Sequence, residues 1–131
     1  MTQPGMPQGE LSLRTLAMPA DTNPSGDIFG GWVLAQMDIA GGLAALARAR
    51  GRVATVAIDG MTFHRPVYVG DVVCCYTALE RVGTTSLRYL VQAWVLRGAQ
   101  DTERVKVTEG TFTFVALAED GTPRPVDPAP D

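Results

Sequence analysis

Residues 28–47 run for twenty positions in which only Gln36 and Asp38 carry strong polarity; the rest are Gly, Ala, Leu, Ile, Val, Met, Phe or Trp. Breakers frame the run, with Asn23, Pro24, Ser25 and Gly26 before it and Gly51 after it. The stretch reads as one long helix, and a helix apolar on every side must be enclosed by protein or by lipid. Its length would just span a bilayer. Against that stand its richness in Gly and Ala, an acid near its middle, which is costly in hydrocarbon, and the lack of a second apolar segment. The enclosure is therefore expected to be a sheet.

Asp38 is the residue that such a helix has to explain. Its neighbours at three and four positions are Leu34, Ala35, Gly41 and Gly42, so nothing on its own helix can pair with it. Carboxylates are rarely buried without a partner. Two readings stay open: an ion pair or cap at a subunit contact, or a catalytic carboxylate in a cleft.

The remainder of the chain reads as strands. Residues 11–17 alternate apolar and polar positions, as do 53–63, 71–81, 85–97 and 105–118, the period of a half-buried strand. In the fourth of these, Leu87, Tyr89, Val91, Ala93 and Val95 share one face. The bridge HRPVYVGD contains a turn, residues 82–84 form a hairpin turn, and RGAQDTER forms a second hairpin loop. One strand, one long helix and then four strands make an α+β domain, with an antiparallel sheet of about five strands wrapped around a central helix. So small a sheet covers only part of an all-apolar helix, so a second copy is expected to cover the rest, making at least a homodimer.

With 131 residues there is room for one domain. Residues 1–10, rich in Pro, Gly and Gln, read as a disordered arm; residues 11–121 form the domain, and the Pro-rich residues 122–131 a loose tail. A net charge of −3 without any Lys/Arg cluster argues against nucleic acid as a partner. An anionic ligand would have to be met by a few local arginines. Cys74 and Cys75 are adjacent in a strand, where side chains point to opposite faces, so they read as buried reduced thiols. With no charged segment followed by an apolar one at the start, no signal peptide is expected and the location is expected to be cytoplasmic.

Several chemistries are absent from the sequence. No GxSxG elbow is present, the single histidine, His64, has no evident partner, and no cluster of His, Cys, Asp or Glu suggests a metal. What remains is Asp38, Asn23, and two glycines, Gly30 and Gly31, at the first turn of the helix, where free N–H groups can meet a ligand oxygen. Gly also marks close packing, and that plainer reading applies to both glycines too. A carboxylate and an open helix N-terminus suit acyl transfer to water, in which N–H donors polarise a carbonyl while the acid attacks or deprotonates water. Gly30 and Asp38 are about 12 Å apart along a helix. The donors and the acid are therefore expected to come from different subunits, at a dimer interface.

At this point the residues carry a resemblance. TLAMPADTNPSGDIFGGWVLAQMDIAGG followed by VATVAIDGMTFHRPVYVGDVVCCY resembles the YciA-type acyl-CoA thioesterases of the hotdog-fold superfamily. The resemblance implies a helix wrapped by an antiparallel sheet, dimers that assemble further into a trimer of dimers, and hydrolysis of acyl-CoA to CoA and a free acid. It implies that Asp38 is the catalytic acid, as nucleophile or general base, that Asn23 orients water or thioester, and that the Gly30 and Gly31 amides bind the thioester oxygen. No cofactor beyond the substrate's own coenzyme A, no metal and no membrane insertion are expected. Arg65, Arg88, Thr84, Thr85 and Ser86 are candidates to line a groove for the CoA phosphates, and Trp32, Met37, Met61, Phe63 and Trp94 to close the acyl pocket. Two alternatives remain: a non-catalytic acyl-CoA-binding sensor, and a hotdog-fold hydratase or dehydratase that would need His64 beside an acid.

Overall fold

The computed structural model describes residues 5–97 and 103–128. Strand β1 (Glu10–Leu16) leads through a single turn of 3-10 helix at Pro19–Asp21 into α1 (Gly30–Ala49). Four strands follow: β2 (Val53–Phe63), β3 (Val72–Val82), β4 (Ser86–Arg97) and β5 (Glu103–Ala116). All pairings are antiparallel and make one sheet in the order β1-β3-β4-β5-β2. The helix lies across its inner face, the α+β arrangement that the resemblance implies.

The alternation of β4 is realised in full, with Leu87, Tyr89, Val91, Ala93 and Val95 all buried toward the helix. From α1, Val33, Met37, Ala40, Gly41, Ala45 and Ala49 face them. Gly41 is what lets the helix sit so close, because a Cβ there would lie 2.8 Å from the ring of Phe114. The opposite side of the helix is not enclosed within one chain: Ile39, Leu43 and Leu46 are half exposed. Cys74 and Cys75 are buried and unbridged, on opposite faces as expected, and burial pushes the Cys75 thiol up to about 12.

The bridge between β2 and β3 contains the expected turn, at Val69 and Gly70. Those strands are not neighbours: β2 is an edge strand beside β5, whereas β3 lies between β1 and β4. Residues 64–71 therefore cross the end of the sheet. Buried Val67 anchors the crossing, accepting the Ile28 N–H at 2.9 Å, and Ala17 N–H donates to Asp71 O at 3.0 Å. The helix stops just ahead of Gly51, where the sequence places a breaker. The left-handed residue is Arg50 (φ 57°), not Gly51. Gly51 is needed for space, since a Cβ there would lie 2.8 Å from Arg124 Nη2.

The two termini are held more than their composition suggests. Glu10 already belongs to β1, and Gln8 N–H donates to the Gln92 side chain at 2.9 Å; residues 1–4 lie outside the described residues. The expected loose tail is instead tied to the sheet, with Arg124 N–H on Ala116 O at 2.9 Å and Val126 N–H on Thr84 O at 2.8 Å. Val126 is buried, and that apolar contact is the reason. Residues 129–131, and 98–102 of the β4–β5 loop, fall outside the described residues.

Candidate active site

The loop before α1 is folded around Asn23. Its Oδ1 accepts the N–H groups of Ser25 (2.9 Å) and Asp27 (3.2 Å), and its own N–H donates to Asp27 O at 2.7 Å. Gly26, at φ +89°, closes the turn with its N–H on Asn23 O. Two N–H donors to Oδ1 fix which way the amide faces. Its Nδ2 is left without an acceptor among the described residues.

The helix then starts without a side-chain cap. Phe29 is the N-cap, in an extended conformation, and its carbonyl accepts the N–H groups of Trp32 and Val33. A Ser, Thr or Asp at that position would satisfy one of the orphan donors. With Phe there, the N–H groups of Gly30 and Gly31 have no acceptor among the described residues. They carry the positive end of the helix dipole. Nothing lies within 4 Å of where a Gly31 Cβ would be, and only the Phe63 ring, at 3.6 Å, approaches that of Gly30. Both glycines thus lie at an open surface, not in a tight packing contact.

Asn23 and Gly30 border a cleft of about 300 Å³ whose other wall is the bridge, with Phe63, His64, Arg65, Pro66 and Val67, while Gly31 is not part of its lining. His64 carried no assigned role in the sequence, yet it lies in this wall beside Arg65. The wall is braced from behind by an ion pair that sequence reasoning missed. Asp71, 4% exposed, accepts Arg97 Nη2 at 2.8 Å and Nε at 3.1 Å, and also the Tyr68 N–H at 2.9 Å. Arg97 donates in turn to Pro66 O at 3.2 Å, and its guanidinium lies 4.8 Å from the Tyr68 ring centroid. The acid of the VGD segment is thus the anchor of the cleft wall. A buried carboxylate bonded by an arginine at one strand end and a main-chain N–H is a strongly held point.

Asp38 does not line this cleft. It is half buried on α1 and accepts a hydrogen bond from Thr55 Oγ1 of β2 at 2.7 Å. Gln36, the other polar residue of the helix, accepts from Thr15 Oγ1 of β1 at 2.9 Å. The two are tied to the two opposite edge strands of the sheet. Asp38 therefore faces the β2 edge, where Val56 and Ile58 are exposed. One chain places the N–H donors and the acid apart, as the spacing along the helix requires.

The proposed groove residues are split. Arg65 is at the cleft, but Thr84, Thr85, Ser86 and Arg88 occupy the other end of the sheet. Ser86 pairs with Val115 there, next to the C-terminal end of the helix. Eight residues of β4 separate Ser86 from Trp94, roughly 26 Å, so these hairpin residues cannot join Arg65 in a single chain. Trp94 is likewise on the outer face of the sheet, its Nε1–H on Gln92 Oε1 at 3.0 Å. It cannot share an acyl pocket with Met37, which is buried on the inner side. Where Ala93 pairs with Thr108 and Trp94 with Lys106, the extra residue is Val107 of β5, so the alternation of β4 runs unbroken.

Residues 25–101 match the family description of the thioesterase superfamily. The chain belongs to the thioesterase superfamily. Within it, the acyl-CoA thioester hydrolase YciA of Salmonella typhimurium is 55% identical over 127 residues, 95% of this chain and 96% of that one. The structure of a hexameric thioesterase from Yersinia pestis superposes with a TM-score of 0.88 at 51% identity, covering 95% of this thioesterase-superfamily chain and all of the other. A more distant member, the acyl-CoA hydrolase of Staphylococcus aureus, is 26% identical with a TM-score of 0.80, covering 86% of this chain and 67% of that one. It was solved as an aspartate-to-alanine and as an asparagine-to-alanine mutant. The two positions changed stand fifteen residues apart in its chain, the same separation as Asn23 and Asp38 here.

Proposed function

We propose that this protein hydrolyses acyl-CoA to CoA and a free carboxylic acid at sites shared between two copies of the chain. The observation that carries the reading is the uncapped helix start: two N–H donors without acceptors, at the positive end of a helix of twenty residues, the first of them, that of Gly30, on a cleft that Asn23 also lines. A thioester carbonyl oxygen fits that position. As the tetrahedral intermediate forms, its oxygen gains charge, and donors fixed by the backbone stabilise it without reorganising.

Asp38 of the second copy supplies the other half. Either it takes a proton from the water that attacks the carbonyl carbon, or it attacks the carbon itself and water later cleaves the mixed anhydride. In both routes the C–S bond breaks, the acid gains the water oxygen, and the CoA thiol carries away a proton. The Thr55 hydroxyl donates to one oxygen of Asp38 and orients the carboxylate, leaving the other oxygen for the reaction. The half-exposed Ile39, Leu43 and Leu46 and the exposed β2 edge supply the apolar surface for the second copy. A hexamer, the state of the Yersinia pestis relative, would need a further contact between such dimers. The cytoplasm is the compartment in which two free thiols are kept reduced.

The test is release of free thiol from acyl-CoA esters of graded chain length by wild type and Asp38→Asn. Wild type is expected to release thiol, and the variant to lose turnover by about 10²–10⁴-fold with its oligomer size unchanged. Undiminished hydrolysis by the variant would remove Asp38 from the mechanism.

A further inference from the structure

Residues 65–70 lie outside every strand, and Pro66 has no N–H to give to a neighbour. The cleft wall they build is held instead at three consecutive residues. Arg97 Nη2 donates to Pro66 O at 3.2 Å, Val67 O accepts the Ile28 N–H at 2.9 Å, and the Tyr68 N–H donates to Asp71 Oδ2 at 2.9 Å. The turn that follows is closed by the Asp71 N–H on Tyr68 O at 3.0 Å and by the left-handed Gly70 (φ +91°), whose N–H reaches the carbonyl of fully buried Ala17 at 2.9 Å. Asp71 and Arg97, bonded to each other, thus grip the wall on both sides of Val67.

The middle one of those three bonds leads to the helix start. Ile28 is buried and stands two residues ahead of Gly30, the first residue of α1. The next N–H, that of Phe29, goes to Asp21 O at 3.0 Å. The backbone that aims the Gly30 N–H therefore rests on two points, Asp21 of its own loop and the Val67 carbonyl of the wall. Stability alone does not explain an ion pair behind that carbonyl, since apolar residues of similar volume in place of a buried pair are often as stable or more so. What an apolar pair lacks is direction. The planar guanidinium bonds both Asp71 oxygens, and Nη2 bonds Pro66 O as well.

We propose that Asp71 and Arg97 are positioning residues for the reaction: they hold the Val67 carbonyl, and through the Ile28 N–H the start of α1, so that the Gly30 N–H is aimed at the thioester oxygen. This rests on the thioesterase reading and extends it from the donors to what aims them. The pair touches no substrate. A misdirected donor costs most in the transition state, where the oxygen acquires its charge, so the loss falls on kcat. Affinity for the ground-state ester, spread over the rest of the substrate, is kept.

The experiment replaces the pair by apolar residues, Asp71→Leu with Arg97→Met, and follows acyl-CoA hydrolysis, the urea midpoint and amide hydrogen exchange. The midpoint should stay near wild type, while kcat falls by about 10–10²-fold and KM changes by less than about twofold. Exchange of the Ile28 N–H should rise by about tenfold, a local opening without global unfolding. In a Gly30→Pro background, where that donor is already gone, the same double substitution should lower kcat by less than about threefold, whereas independent effects would multiply. Asp71→Asn, whose amide oxygen can still take the Tyr68 N–H, should give smaller changes of the same kind, and it decides the matter if the double variant fails to fold. Wild-type kcat in a folded variant, a rise in KM with kcat retained, or an equal fall in kcat with and without the Gly30 N–H overturns the proposal. Wild type that hydrolyses no thioester defeats the functional reading instead, and unchanged Ile28 exchange defeats the brace whatever the activity, so the two failures are read separately.

Discussion

The two ends of α1 are finished in opposite ways. At the C-terminal end the chain supplies its own partners. Arg124 Nη2 donates to Ala49 O at 2.8 Å and its Nε to Leu117 O at 3.1 Å. The Arg50 and Gly51 N–H groups close on Leu46 O, and Arg48 pairs with Asp127 at 2.8 Å. At the N-terminal end a Phe occupies the cap, glycines follow, and two N–H groups face open space. The larger hollow, about 720 Å³, lies at the sealed end; the one that suits chemistry is smaller. What marks a site here is the unspent hydrogen-bonding capacity, and volume alone would have pointed to the wrong end.

Between the two ends of the helix, the largest expected effect comes from closing the open end by one donor. Gly30→Pro removes a single N–H. The first helical position tolerates proline, Phe29 already has the extended backbone that a residue before proline requires (ψ 134°), and the nearest atom to the new Cβ is a ring carbon at 3.6 Å. The fold should survive, seen as an unchanged urea midpoint, while kcat falls by about 10²–10³-fold, the effect of losing an oxyanion donor. A variant with normal kcat would show that the Gly30 N–H is not used, and the contrast between the two ends would lose its functional meaning.

Much of this contrast was legible in the sequence, and the reason is that it is local. The breaker-rich loop, the glycines at the first turn and the inward set of β4 are all encoded by neighbours within a few residues, and each lies where the pattern puts it. The edge position of β2 was not legible, because alternation identifies a strand but not the strand it pairs with. That one missing fact displaced the rest. It hid the crossing of residues 64–71, which brings His64 and Arg65 to Asn23, and it allowed Thr84–Ser86 and Arg88 to be grouped with a site at the other end of the sheet. Asp71 was visible only as part of RPVYVGD, since its partner Arg97 lies 26 residues away. Gly51 marks the helix stop that its position suggests, but the left-handed residue is Arg50, and the glycine makes room for the arginine that seals the carbonyls.

That arginine gives the converse of the first test. Arg124→Ala leaves the carbonyls of Ala49 and Leu117 without their charged donor, and stability is expected to fall by about 1.5–3 kcal/mol, as for hydrogen bonds to a charged group, read from urea unfolding. KM and kcat should stay as in wild type, because the sealed end touches no substrate. A variant that is stable but slow would mean that the hollow at this end takes part in the reaction.

The smallest effect is expected from the exposed ion pair beside that arginine, and it decides what does the sealing. The Arg48 guanidinium, hydrogen-bonded to Asp127, holds that carboxyl below its ordinary value. A carboxyl depressed in the folded state adds stability above its unfolded pKa, about 3.9, and that contribution is lost as pH falls through the folded value. Both side chains are at the surface, however, where water and salt screen the attraction. Asp127→Asn should therefore leave the urea midpoint at pH 7 unchanged, and the wild-type and variant midpoints should stay together down to about pH 4, with wild type losing at most slightly more below it. If the variant is clearly weaker at pH 7 and the two curves converge only in acid, the ion pair and not the main-chain bonds of Arg124 holds the tail over the helix end. The helix terminus would then be sealed by charge, in a form that rising salt should loosen.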